Sequence, residues 1–276
     1  MVSTIQETIG REVVLALSNL YPSMADALME LVDNPFDYRH GRLLNIKVKV
    51  DKKKGRIVVT DYGGEGMGED ALRDWIQWGT GHTHSLDDIG QYHVGGKLAA
   101  MYLADSVEII GRKAGQKTAF KFFDPHWGTR TEMLVSALEP LDEVALRWFD
   151  PDLARLPIEV GFSQFVLTNL KPHRYESSIL LQRISNVYKH LVEQKKCHII
   201  VNRNAVEPLE IPESVTYRNR AITIKKTKVA SGVSVQGRIW VMDRDKIPIG
   251  RGVLIKAGIR TLFRDYLLHA GQPMVD

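Results

Sequence analysis

The sequence predicts an α+β chain. Apolar residues at helical spacing crowd the first forty positions, while strand-like runs are spread over the rest of the chain. An apolar share of 44% with 25% charged residues is that of an ordinary globular protein, so a packed core is expected.

The elements follow in order. Ile5, Ile9, Val13 and Leu17 place a helix over Thr4–Leu20. Tyr21-Pro22-Ser23 interrupts it, and Ser23 suits a cap for a second helix from Met24 to about Arg39, carried by Met24, Ala27, Leu28 and Leu31. Pro35 is expected to end or bend that helix. A hairpin follows, with Leu43–Val50 and Ile57–Val59 as strands around the turn Asp51-Lys52-Lys53-Lys54-Gly55. A helix is expected over Glu69–Trp78, where Trp75 and Trp78 share a face, and another over Leu98–Leu103. Strands are expected at Ser106–Ile110, Thr118–Phe123, Thr131–Ser136 and Phe165–Leu167, with 138–160 unassigned. Tyr175–Val192 reads as a helix and Cys197–Val201 as a strand ended by Asn202-Arg203-Asn204. Strands near 215–226, 233–242 and 252–256 precede a final helix near Thr261–His269.

At 276 residues the chain has room for one large domain or two unequal ones, with a boundary expected near Lys171-Pro172. No apolar run approaches the ~20 residues that span a bilayer, and the N-terminus lacks the pattern of a signal peptide. Cys197 stands alone, so neither an internal disulfide nor a zinc site is expected, and an intracellular location, cytoplasm or nucleus, fits. A net charge of +4 is too small for a clear nucleic-acid footprint, and Lys52-Lys53-Lys54, Lys195-Lys196 and Lys225-Lys226 read first as charged turns. His82, His84 and His93 have no acidic partner at ligand spacing and are explained by a polar segment.

Three segments carry chemistry. In Glu30-Leu31-Val32-Asp33-Asn34-Pro35-Phe36-Asp37, helical spacing makes Glu30 and Asn34 neighbours, with Asp37 a turn on. Such a stripe is either a solvated face or a set that orients a water and holds a hydrated Mg²⁺, which prefers oxygen ligands. Asp61, at a strand end, is followed by Gly63, Gly64, Gly66 and Gly68. That loop is either a flexible turn or a wall that lets backbone approach a flat ligand, with the acid accepting from an exocyclic amine. The third segment, Gly90 to Lys97, enters a helix. It is not a Walker loop, because Gln91 stands where the first glycine belongs and Leu98 where the metal-binding hydroxyl belongs. A glycine-bearing helix mouth still presents free N–H groups to phosphate.

In this order the segments resemble the boxes of the GHKL superfamily, which includes DNA gyrase B subunits, ninety-kilodalton heat-shock chaperones, histidine kinases and MutL proteins. Glu30–Asp37 resembles the first box, Asp61–Met67 the second and Ile89–Gly96 the third, the last nearly as heat-shock chaperones and MORC ATPases carry it, and the chain as a whole most resembles MORC-type ATPases. Gly161–Leu170 resembles the strand that ends their nucleotide domain. The resemblance implies a Bergerat-type α/β sandwich over 1–171 and an S5-like transducer domain over 172–276. It implies slow Mg²⁺-dependent ATP hydrolysis with Glu30 as general base and Asn34 on Mg²⁺. Asp61 would receive adenine, with Gly63, Gly66, Met67 and Ser163 around it and Asp37 nearby. Thr80, within a lid over residues 79–94, would face the nucleotide, and Gly90, Gln91, Val94, Gly95, Gly96 and Lys97 would line its phosphates. An ATP-dependent homodimer and DNA as a candidate partner also follow from the resemblance, with no membrane role. The alternatives are a phosphotransfer kinase of the histidine-kinase type and a non-hydrolysing, nucleotide-gated binding module.

The chain departs from these patterns in places. An extra residue separates Gly63 from Gly66, and His93 and Gly96 stand where relatives carry glycine and an aromatic. The lid lysine of relatives is replaced by Thr83 or His84. Their γ-phosphate lysine would fall beyond Gly252–Arg260, so either the transducer is truncated or another cation serves, with Lys246 and Lys256 as candidates.

Overall fold

The computed structural model describes residues 10–37, 43–78, 94–132, 137–193 and 195–207, and beyond them 216–230, 233–242, 253–257, 260–265, 268–269 and 272–273. The chain forms two compact units, Met1–Pro208 and Leu209–Asp276.

In the first unit, helices α1 (Arg11–Ser18) and α2 (Met24–Asp37) precede the hairpin β1 (Leu44–Asp51) and β2 (Arg56–Tyr62). Then come α3 (Glu69–Ile76), α4 (Gly95–Leu103), β3 (Ala104–Arg112), β4 (Ala119–Asp124), β5 (Glu139–Leu141), α5 (Glu143–Phe149) and α6 (Pro151–Ala154). β6 (Phe162–Leu170), α7 (Ser177–Glu193), β7 (Cys197–Val201) and β8 (Asn204–Ala205) complete it. Caps anticipate the helix starts. Ser23 Oγ accepts from the Asp26 N–H, and the Asp142 and Asp150 carboxylates accept from the first turns of α5 and α6.

The eight strands form one sheet in the order β5-β4-β3-β6-β2-β1-β7-β8. β7 runs parallel to β1, from Leu44 opposite Cys197 to Val48 opposite Val201. The period of two sorts the faces. Register puts Ile46, Val48 and Val50 of β1 beside Asp61, Val59 and Ile57 of β2, which lie beside Ser163, Phe165 and Leu167 of β6. The apolar members of this face are almost completely buried, and α2 packs on β1 and β2. The opposite face, at the β3–β4–β6 end, is covered by the α5–α6 segment, where Leu141, Leu146 and Leu153 pack on Ile110, Ala119 and Phe162. Each fully buried apolar side chain contributes about 1.5–3 kcal/mol relative to exposure.

Several expectations are corrected. Helix α2 carries Pro35 within it and continues to Asp37. In the last turn the proline deprives only the Leu31 carbonyl of its partner. The first helix is described from Arg11, and residues 4–9 lie outside the described residues. Thr131 and Glu132 are not in a strand, and 133–136 lie outside the described residues. Residues 138–160 hold β5, α5 and α6.

The compact units divide after Pro208. The reason is the long-range pairing of β7 with β1, together with the packing of α7 on α2. There Tyr188 stacks on Phe36 at 4.5 Å between ring centroids and donates its hydroxyl to Asp33.

The second unit has β9 (Thr216–Ala230) antiparallel to β10 (Val233–Met242) and β11 (Val253–Ala257) antiparallel to β12 (Arg260–Asp265). β13 (Leu268–His269) pairs with β14 (Gln272–Pro273). Of the final helix expected near Thr261–His269, residues 261–265 and 268–269 are strand, and 266–267 lie outside the described residues. A short apolar run fits either period, and pairing with β11 decides it. Lys225 and Lys226 also lie within β9 and not in a turn. No helix among the described residues is long and apolar enough to cross a membrane.

A chain cut after residue 171 loses α7 and β7, leaves β1 as an edge and removes Tyr188 from Asp33. Such a chain is expected to lack a cooperative thermal transition by circular dichroism, whereas one cut after 208 should retain it. Equal melting of the two would place the boundary back at 171.

Candidate functional site

α2 and α4 pack against each other so closely that a Cβ on either of the first two residues of α4 would displace a side chain of α2. A Cβ on Gly95 would coincide with Glu30 Oε2, and a Cβ on Gly96 would stand 2.6 Å from Asn34 Nδ2. The i, i+4 pair Glu30 and Asn34 thus lies directly on the mouth of α4. Both residues are half-buried. Tyr21, in the break between α1 and α2, donates its hydroxyl to the Gly95 carbonyl at 2.9 Å. The indole N–H of Trp75 is buried beside Gly96, 3.5 Å from that Cβ position, and has no acceptor among the described residues. Val94 is the N-cap residue of α4, and no described side chain caps that end. A helix end without a side-chain cap among the described residues is the kind that takes an anion on its first N–H groups.

Asp61 sits on the helix-facing side of the sheet, near the end of β2. It is buried, and the Ser163 hydroxyl, directly opposite on β6, donates to its Oδ2. Burial pushes its carboxyl up to about 7, while the Ser163 hydrogen bond pulls it back. Phe165 lies two residues along the same face, its ring 5.4 Å from that of Trp75, which in turn lies against Gly96. Asp61 therefore lies on the sheet face against which α2, bearing Glu30 and Asn34, packs.

The glycine loop after β2 is fixed by its neighbours. Gly63 (φ 103°) donates its N–H to the Gly161 carbonyl at 3.1 Å, and a Cβ there would strike the Leu43 carbonyl. Gly66 (φ 72°) lies against Arg112 O and Phe162 N. The extra residue in the loop is thus accommodated by two left-handed glycines, each in backbone contact. Met67 donates its N–H to Phe162 O at 3.2 Å and covers Gly111. The Arg112 guanidinium donates to the carbonyls of Leu156, Pro157 and Val160, holding the strand ends together behind the loop.

Lys97 departs from the expectation that it lines the phosphates. Its side chain is fully buried and donates to Asp74 O at 3.2 Å and to Gln77 O, where α3 ends. Its ammonium lies 5.4 Å from the Trp78 ring centroid. Burial lowers its pKa to about 8, and the Asp74 carboxylate opposes that change. Trp127 stacks on Trp75 and Trp78, accepts the Arg11 guanidinium on its ring at 4.7 Å, and donates its N–H to Lys97 O. Sequence spacing relates Trp75 to Trp78, but the remote Trp127, Arg11 and Tyr21 leave no local signal.

Asp37 ends α2. Thr80, Gly90 and Gln91 lie outside the described residues, as do His82, His84 and His93. No group of three His, Cys, Asp or Glu side chains suited to a metal exists among the described residues. A cavity of about 480 Å³ is bordered by Glu65, Gly66 and Gly68, the start of α3 and the β3–β4 turn, but none of Glu30, Asn34, Asp61 and Gly95 lines it.

Residues 21–145 match the family of histidine kinase-, DNA gyrase B- and HSP90-like ATPases. These residues form a GHKL-type ATPase domain. The ATPase region of Saccharomyces cerevisiae topoisomerase II shares this α+β fold. It superposes with a TM-score of 0.51 at 8% identity over 73% of this chain and 61% of that one. Similar solved structures include the same yeast region bound to ICRF-187 (dexrazoxane), with a TM-score of 0.47 at 8% identity over 66% of this chain and 48% of that one. The ATPase and transducer domains of the Balamuthia mandrillaris enzyme give 0.47 at 13% identity over 68% and 49%. The chain spans 48–61% of the length of the two yeast structures. No curated protein sequence matches it.

Asp61 gives the GHKL-type domain a pH signature. Its folded pKa of about 7 exceeds the ordinary 3.8, so between these values the native state binds more protons than the unfolded one. With respect to this group, stability is therefore full below pH 4. It declines as pH rises toward 7, with a slope approaching about 1.4 kcal/mol for each step of one in pH. Asp61→Asn should flatten the pH 4–7 limb of the urea-unfolding profile. An unchanged limb would remove Asp61 as its cause.

Proposed function

We propose that the chain binds Mg²⁺-ATP and hydrolyses it slowly, with Glu30 as general base. The carrying observation is the seat of Glu30 and Asn34 directly on Gly95 and Gly96. A carboxylate at a helix mouth can take a proton from a water held against the phosphate chain. A positioned base of this kind contributes about 10²–10⁴ in rate. The donor set fits a hydrated Mg²⁺, with an amide oxygen on Asn34 and a neighbouring carboxylate on Glu30. When bound, the ion neutralises phosphate charge. Asp61, with Ser163 beside it, accepts the adenine amine, and Gly63, Gly66 and Met67 shape the wall beside it. The N–H groups of α4 and the Trp75 indole are the donors available to phosphate oxygens.

The MORC-like reading rests on Ile89–Gly96 and carries with it a lid over 79–94 and ATP-dependent homodimerisation. We read the second unit as an S5-like transducer, starting after residue 208 rather than at 172.

Calorimetry with Mg²⁺-ATP tests the binding half: Asp61→Asn should abolish the heat and Glu30→Ala should keep it. Because the adenine amine needs an ionised acceptor, affinity of the wild type should rise from pH 6 to 8. Phosphate release should fall by at least about 10² in Glu30→Ala. Gly95→Ala, whose methyl displaces the Glu30 carboxylate, should show the same loss with an unchanged melting curve. Full turnover by Glu30→Ala would remove the assigned base, and nucleotide binding with no turnover in the wild type would leave a gated binding module. Sedimentation should show dimers with a non-hydrolysable ATP analogue and monomers without it.

A further inference from the structure

The outer side of α5 carries apolar side chains that the core does not use. Trp148 is 86% exposed and Val144 67%, and a spacing of four puts them on one helix face. Phe149 (44% exposed) receives the Lys121 ammonium over its ring at 4.5 Å. Phe123 (50% exposed) follows Lys121 by two on β4 and projects from the same side of the sheet. The four side chains therefore form one strip across α5 and the neighbouring strand. The helix beneath is firmly seated. Leu146 packs into the cluster of Ile110, Ala119 and Phe162, and the Asp142 carboxylate caps the first turn.

Size and charge define what such a strip can hold. An aromatic side chain carries about 150–250 Å², so the exposed fractions amount to on the order of 400 Å². Apolar patches of that extent mark interaction sites. The area is about half of the ~800 Å² that each partner gives to a standard interface between folded proteins, and it suits a short segment. The frame is acidic. Residues 138–159 hold six acids, five of them exposed, against Arg147 and Arg155, a balance of −4 in a chain whose net charge is +4. Both arginines already stand beside acids of this segment, Arg147 with Glu143 at 2.7 Å and Arg155 with Asp152 at 3.8 Å. Lys121 is likewise paired with Glu139 at 2.6 Å.

We propose that the outer face of α5, with Phe123 beside it, docks a basic amphipathic segment of a partner protein. The apolar side chains of that segment cover Val144 and Trp148, and its lysines or arginines meet the acidic frame. Tryptophan is among the residues that most often anchor an interface. Complementary charge at the rim guides encounter and rejects wrong partners. An anionic membrane is one such wrong partner, because the frame repels it. A second copy that met the same face in a two-fold pairing would set acids against acids over too small an area. The docking reading does not rest on the nucleotide reading above.

The experiment titrates the full chain into a short fluorescein-labelled helical peptide of leucine and lysine, its leucines on one face. A matching peptide with glutamate in place of lysine and phosphatidylserine vesicles are the other probes. The wild type should bind the lysine peptide, less tightly as salt rises, and should not bind the glutamate peptide. Trp148→Ser should weaken the lysine peptide at least about tenfold with an unchanged melting curve. Trp148→Phe should keep most of the affinity. E143K/D152K should weaken the lysine peptide and admit the glutamate peptide. Mg²⁺-ATP heats in all three variants should match the wild type, so failure here is distinguishable from failure at Glu30. The proposal is overturned by no lysine-peptide binding in the wild type, or by equal affinity in wild type and Trp148→Ser. A glutamate peptide bound as tightly as the lysine one by the wild type overturns it too. So does a strip whose Trp148-dependent occupant proves to be a vesicle, or a second copy in sedimentation, with no peptide bound.

Discussion

The site depends on how closely α2 and α4 approach. Glu30 and Asn34 fill the space that side chains on the first two residues of α4 would take. That single constraint seats a carboxylate and an amide on an uncapped helix mouth, where free N–H groups and the helix dipole gather. Moving either helix outward would leave the same residues present and the arrangement gone. The packing behind them explains why they hold. Leu28, Leu31 and Val32 are sealed between α2 and its neighbours, and Ala99, Ala100 and Met101 do the same for α4.

Three sets of contacts support that approach. Tyr21 fixes the Gly95 carbonyl, Lys97 closes the end of α3, and the Trp75–Trp127–Trp78 stack with Arg11 fills the space between α1, α3 and the turn after β4. A fully buried lysine is costly unless its ammonium finds acceptors. Here the Asp74 and Gln77 carbonyls at the α3 C-terminus supply them, which gives Lys97 a role in placing helices rather than in meeting a ligand. Asp61 is the reverse case. Burial raises its carboxyl, and one hydroxyl from Ser163 moderates the effect. An acceptor left in that condition is suited to a neutral donor such as an amine.

The two units divide the electrostatics. The first carries the GHKL-type domain, and its acids and bases meet in pairs such as Arg130 with Asp124 and Lys113 with Glu65. In the second, β9 and β10 carry Arg218, Arg220, Lys225, Lys226, Lys228 and Arg238 and no acid. Concentrating cations on a narrow, two-stranded element leaves them without carboxylates on the same strands to neutralise them.

Local sequence determined what short-range physics can determine. Helical spacing set Glu30 beside Asn34, the alternation of β1 and β2 set the hairpin, and the order of the three boxes carried the resemblance to the GHKL superfamily before any fold was in view. The strands and helices between Leu44 and Val201 that have strong periods stand close to where their pattern put them. Tertiary structure decided whatever depended on distant partners. It assigned β7 to the first sheet through β1, made strand of the ambiguous run at Thr261, and turned Lys97 away from the helix mouth toward Asp74 and Gln77. It also placed Trp127 and Arg11, more than a hundred residues apart, on one another. Propensity and spacing act over a few residues, whereas burial, register and the search of a buried charge for acceptors are settled only when the chain has closed on itself.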